Sequence, residues 1–118
     1  MGKQYDKEHA VTVIATAAIL ANRFVGFGGA HATSAGGAND AQGISESEAA
    51  IGQAVSLVTG YSGVVETGGA FAQFDFVKAD ANGKAVVGTA TDYCGRALEA
   101  SSGAGVFVEV VPLPVRHA

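Results

Sequence analysis

Residues 95–111, GRALEASSGAGVFVEVV, read as two strands joined by a small-residue turn. Val106, Val108 and Val110 alternate with Phe107 and Glu109, the two-residue pleat period of a strand with one buried face. Ser101 to Gly105 supply a connection of small residues that tolerates unusual backbone angles. No catalytic group sits at its tip, so the stretch is scaffold.

Outward from this hairpin the chain is a string of short β candidates. His9 to Thr16 is β-branched and alternating, and Arg23 to Phe27 follows. Gly43 to Ser45 begins another strand, and Gln53 to Thr59 carries Val55 and Leu57 on one side. Gly63 to Thr67, Phe71 to Lys78 (Phe74 and Phe76 on one face) and Lys84 to Gly88 complete the set, with Tyr93 to Gly95 opening the final hairpin. Asn82-Gly83 signals a type I′ turn between Lys78 and Lys84. Residues 28–42 lack periodicity and read as a long flexible loop. Ala15 to Asn22 and Ser45 to Ala54, rich in Ala, Leu and Glu, have a competing reading as one or two helical turns. A faint echo between 43–58 and 95–110 suggests two hairpins of one plan.

The fold expected is all-β: a small single-domain β-barrel or sandwich of short antiparallel strands with extended terminal arms. Residues 1–8 form the N-terminal arm and 9–111 the β domain. Residues 112–118 form a tail, because Pro112 and Pro114 lack the amide donor that a ladder needs.

Composition narrows the function. A chain of 118 residues fits one domain and folds without staples. The single cysteine, Cys94, excludes an internal disulfide and any multi-cysteine metal site. A net charge of −4 with no Lys or Arg cluster argues against nucleic acid. The apolar run ending at Leu20 is too short to span a bilayer, and its flanks do not fit a secretory signal. Charged residues are only 15 %, against about 25 % in typical soluble domains. Two explanations stand: a sparsely charged exterior, or an exterior covered by other subunits, since interface cores are depleted in charge.

Chemistry-bearing motifs are nearly absent. His9, His31 and His117 have no ligand spacing and read as solvent or contact residues. Cys94 reads as a buried structural thiol rather than a nucleophile. The Gly-rich stretches 26–29 and 60–63 continue into no phosphate-binding motif. Asp75, Asp80 and Asp92 lack the order of a calcium loop, and Glu46 and Glu48 establish no carboxylate pair. No catalytic, cofactor or metal site is expected.

Residues 64–86, VVETGGAFAQFDFVKADANGKAV, followed by GRALEASSGAGVFVEV at 95–110, resemble the capsid cement, or head decoration, proteins of tailed bacteriophages. The resemblance covers about the C-terminal half. It implies an all-β, non-enzymatic protein of the virion, made in the host cytoplasm and bound to the outer capsid surface. Its partners would be the major capsid protein and further copies of itself, a trimer favoured over a dimer. The segments that cannot satisfy themselves inside a β-body supply the expected contacts: Lys3, Tyr5 and Lys7 in the arm, Leu113, Val115 and Arg116 in the tail, and His31 in the 28–42 loop. The alternative is a small β-fold binding module for carbohydrate or peptide, with Tyr5, Tyr61 or Tyr93 as platforms.

Overall fold

The computed structural model describes residues 10–33 and 36–116. Nine strands form two units, with one 3-10 turn at Gly37–Asn39 and no α-helix among the described residues. In the first unit β1 (Ala10–Ile14), β4 (Ala54–Val58), β3 (Ala41–Ser45) and β2 (Phe24–Gly26) lie side by side in that order, all antiparallel. In the second, β5 (Gly63–Gly68), β7 (Ala85–Val87), β6 (Phe76–Ala79), β8 (Tyr93–Ala97) and β9 (Ala104–Arg116) close into a barrel. The barrel contains one parallel contact, Thr67 against Ala85. The all-β expectation is met, and the two hairpins suggested by the echo exist as the β3–β4 and β8–β9 pairs.

Two adjacent side chains of β2 explain why the units form one body. Successive strand residues point to opposite faces, and Phe24 enters the barrel core beside Val65, Val77, Val108 and Val110. Val25 enters a second core with Ile19, Val55 and Leu57. Both are essentially inaccessible, so β2 is buried on both faces. Ile44 of β3 joins Phe24 in the barrel core.

Where the units meet, Arg23 acts as a clamp. Its Nε and Nη2 both donate to Glu66 Oε1 of β5, at 3.2 and 3.0 Å, and Nη1 donates to the Asn82 carbonyl at 3.0 Å. Lys84 Nζ lies 3.6 Å from the other Glu66 oxygen. Backbone bonds run in parallel with this ion pair, Phe24 N to the Gly83 carbonyl and Glu66 N to the Asn22 carbonyl, both 2.8 Å. Ser45 Oγ accepts from Arg23 N at 3.1 Å, so the buried start of β2 is satisfied from both sides.

Several local expectations are corrected. The Asn82-Gly83 turn is not type I′, which needs positive φ at both residues. Only Gly83 has it, at 77°. The Asp80 carbonyl accepts from Gly83 N, and Asp80 N donates to the Lys84 carbonyl. This is a type I turn closed by a left-handed glycine, with Asp80 Oδ1 accepting from Asn82 N and Lys84 N. A Cβ at Gly83 would also stand 2.6 Å from the Phe24 carbonyl oxygen. The turn therefore fits against β2 only as glycine.

Phe71 to Lys78 is not one strand either. Phe74 sits at φ 72° in a turn that Asp75 Oδ2 fastens to Ala72 N, so Phe74 and Phe76 do not share a strand face. The two segments with a helical reading instead bridge each other, Ile19 and Ala49 exchanging both backbone bonds at 2.8 and 2.9 Å. The described part of 28–42 is tied to the body, Ala32 N donating to Phe24 and Phe27 N to Asp40, and folded on itself, Gly28 N donating to Ala38 and Thr33 N to Asn39.

The largest correction concerns the tail. β9 does not stop at Pro112 but runs to Arg116, so residues 112–116 belong to the barrel and the strand is not short. Leu98 N donates to the Glu109 carbonyl. By strand alternation Val111 also faces β8, and the Pro112 nitrogen faces away from it. On that side β5 has already ended opposite Val110, so no donor is missed. Pro114 falls in an irregular stretch where Leu113, Pro114 and Val115 stand against Cys94 alone.

Replacing Glu66 by Ala leaves the largely buried Arg23 guanidinium without its carboxylate. The expected loss is about 3 kcal/mol, the lower end for breaking a buried pair, since the Glu66 side chain keeps 21 % of its surface accessible. Urea denaturation measures it. A loss below about 1 kcal/mol, the scale of a surface pair, would contradict the clamp.

Candidate functional site

A groove of about 430 Å³ opens where the two units adjoin. Phe27 and Asp40 to Gln42 form one wall, Thr59 at the end of β4 contributes to the floor, and Pro112 to Val115 of β9 form the other wall. Two expected contact regions, the 28–42 segment and the tail, therefore converge. Leu113 and Val115 are half-buried in this groove, whereas Arg116 is exposed beyond it. Lys3, Tyr5 and Lys7 lie outside the described residues. Ala10, where the described chain begins, pairs with Val58, the neighbour of Thr59.

Phe27 was not anticipated. It is 62 % exposed, and the signal for it was a lone aromatic between glycines in GFGG at 26–29. Its backbone is held outward because Phe27 N donates to Asp40 and Gly26 N to Ala30. The exposed apolar set continues with Ile14, Ile51, Tyr61, Phe74 and Phe107, each more than half accessible. Tyr61 is exposed, and Tyr93 is stacked on Phe76 at 4.8 Å between ring centroids.

Of the chemically tempting groups, Cys94 and His31 are engaged in structure, and His9 and His117 lie outside the described residues. Cys94 is buried and its thiol is pushed up to about 12, chiefly by desolvation and against a backbone hydrogen bond from Ala79. A thiol held protonated is a poor nucleophile. His31 is half-buried, and its Nε2 accepts from Leu20 N at 3.0 Å, which requires the neutral ring. Burial lowers its pKa first and the Arg23 charge second, with Asp80 opposing. Rather than being simply a solvent residue, His31 fastens the start of the 28–42 segment to the body. Among the described residues no group of three His, Cys, Asp or Glu side chains is placed to hold a metal.

Residues 4–112 match the phage cement protein family. The chain belongs to that family. The family is structural and non-enzymatic, which agrees with engaged rather than poised histidine and cysteine, and the protein is a component of the phage head. The fold is similar to the crystal structure of the head fiber gp8.5 N base in bacteriophage phi29. The TM-score is 0.71 at 17 % identity, over 92 % of this chain and 97 % of that one. No curated protein matches the cement chain in sequence.

The His31 geometry sets a pH dependence. Because the folded-state pKa is depressed, the unfolded chain binds the proton first. His31 thus contributes stability that is intact above its ordinary value of 6.5 and is lost as pH falls from there towards the depressed value. His31→Gln keeps an acceptor but does not titrate. Thermal midpoints measured across this window should fall more steeply for the natural protein than for the variant. Parallel slopes would contradict the assignment.

Proposed function

We propose that this protein binds the outer surface of the mature phage head and bridges neighbouring capsomers. It acts as a homo-oligomer, a trimer favoured over a dimer. The observation that carries the reading is the family match over residues 4–112. The geometry supports it: a compact β-body 39 × 27 × 26 Å in extent leaves large apolar side chains exposed while most described charges are paired or hydrogen-bonded internally. Such a surface suits burial against protein. A seat on the head surface is also consistent with the same fold at the base of a phage head fiber.

The physical task is to hold seams together against the pressure of packaged DNA. A protein that binds only the expanded lattice stabilises that lattice by mass action. Linked contacts from several subunits raise avidity beyond any single affinity. The contacts proposed are the groove wall at Leu113 and Val115, the neighbouring Arg116, the segment around His31, and the N-terminal residues Lys3, Tyr5 and Lys7.

Co-sedimentation with purified heads tests this. The full chain is expected to pellet with mature heads and not with unexpanded ones. Deleting residues 1–8 should weaken binding at least tenfold, about 1.4 kcal/mol, with the thermal transition of the isolated protein nearly unchanged. Equal decoration by the truncated protein would remove the N-terminal contact, and no decoration by the full chain would overturn the reading.

A further inference from the structure

The turn that receives the Arg23 guanidinium carries a reactive pair of its own, Asn82-Gly83. Asn82 is exposed. Its hydrogen bonds are made by the main chain: N donates to Asp80 Oδ1 at 2.8 Å, and the carbonyl accepts from Arg23 Nη1 at 3.0 Å. The side-chain amide takes no part in them. Gly83 N, the next nitrogen along the chain, donates to the Asp80 carbonyl at 3.3 Å, longer than the usual range for such a bond and therefore weakly held.

An asparagine amide carbon is an electrophile towards the main-chain nitrogen that follows it. A Cβ on the following residue crowds that attack, and glycine has none. The fold cannot supply the protecting side chain here. Gly83 sits at φ 77°, and a Cβ on it would stand 2.6 Å from the Phe24 carbonyl oxygen. Docking against β2 thus imposes the unprotected neighbour on Asn82. The asparagines elsewhere differ: Asn22 precedes Arg23 and its Nδ2 donates to the Val64 carbonyl at 3.0 Å, and Asn39 precedes Asp40.

We propose that Asn82-Gly83 is a self-modification site, where the chain deamidates to isoaspartate and so loosens the joint between its two units. Gly83 N bonds to Asn82 Cγ, the Cγ–Nδ2 bond breaks, and Nδ2 leaves as ammonia with the proton that Gly83 N has lost. Water then opens the succinimide ring. Opening at Cγ gives aspartate, and opening at the main-chain carbonyl carbon gives isoaspartate. Nothing is oxidised or reduced, and water is the co-reactant. In isoaspartate the main chain runs through Cβ and Cγ and is one atom longer. The turn has no slack for that atom: it is closed by Asp80 N on the Lys84 carbonyl and docked by Phe24 N on the Gly83 carbonyl, both at 2.8 Å. The former Asn82 carbonyl, which held Arg23 Nη1, becomes a carboxylate off the main chain. The site concerns the joint itself and does not rest on the cement reading.

Ageing the purified full chain at mildly alkaline pH tests it, with Asn82→Ser and Asn82→Asp aged alongside. Mass spectrometry of the tryptic peptide 79–84, with chromatographic separation of aspartate from isoaspartate, reads the site, and Asn22 and Asn39 are controls in the same sample. Isoaspartate should form at position 82 well ahead of any deamidation at Asn22 or Asn39. The thermal midpoint of the natural chain should fall with it by about 4 °C, the shift that losing one hydrogen bond gives a domain of this size. Asn82→Ser should keep its midpoint. Asn82→Asp, which carries the charge without the added atom, should stay closer to the fresh protein than to the aged one. Deamidation at Asn82 no faster than at the other asparagines overturns the site. A midpoint unchanged by deamidation, reproduced by Asn82→Asp, or lost equally by Asn82→Ser overturns the loosening of the joint.

Discussion

The Arg23 guanidinium, held by Glu66 and the Asn82 carbonyl, is the interaction on which the rest of the structure depends. It sits where a four-stranded sheet meets a closed barrel, two units that could otherwise behave as separate small domains. An ion pair buried this far is costly unless every donor is satisfied. Here Glu66 is shared with Lys84, and no buried side-chain nitrogen or oxygen among the described residues lacks a hydrogen-bond partner. The pair specifies how the units dock, while Phe24 and Ile44, inserted into the barrel core, supply the apolar burial that stabilises the joint.

Rigidity at that joint matters for function. The groove is bounded by Phe27 and Asp40 to Gln42 from one unit and by Pro112 to Val115 from the other. Its shape therefore persists only if the units keep their relative position. Under the proposed role on the capsid surface, a body that flexed at the middle would spend binding free energy on ordering itself rather than on holding its partner. Pro112 serves this geometry as well: its missing donor falls on the side where β5 has ended, so β9 presents one amide fewer to a stray strand there.

Local alternation made much of the barrel legible in the sequence. Val108 and Val110 turned inward with Phe107 and Glu109 outward, and Val55 and Leu57 shared a buried face, as the pleat period required. Cys94 was placed correctly as a buried thiol. What stayed hidden was set by distant partners. Arg23 resembled any residue opening a strand, because Glu66 stands 43 positions away. Pro112 looked like a stop because its tolerance depends on where β5 ends, and the helix-like segments around Ile19 and Ala49 became extended because they found each other. Leu113 and Val115, expected as contact residues, line the groove, whereas Phe27 across from them drew no such expectation, since no pattern in one segment reveals the other wall of a groove.

Amide hydrogen exchange under native conditions reads the joint directly. The amides of Phe24 and Glu66 donate across the two units, and those of Leu57 and Val108 lie in the cores on either side. If the clamp makes one cooperative body, all four exchange only through global opening and share one free energy of protection. If Phe24 and Glu66 exchange through a lower-energy opening while Leu57 and Val108 remain protected, the units part without unfolding and the account of a single rigid body is wrong.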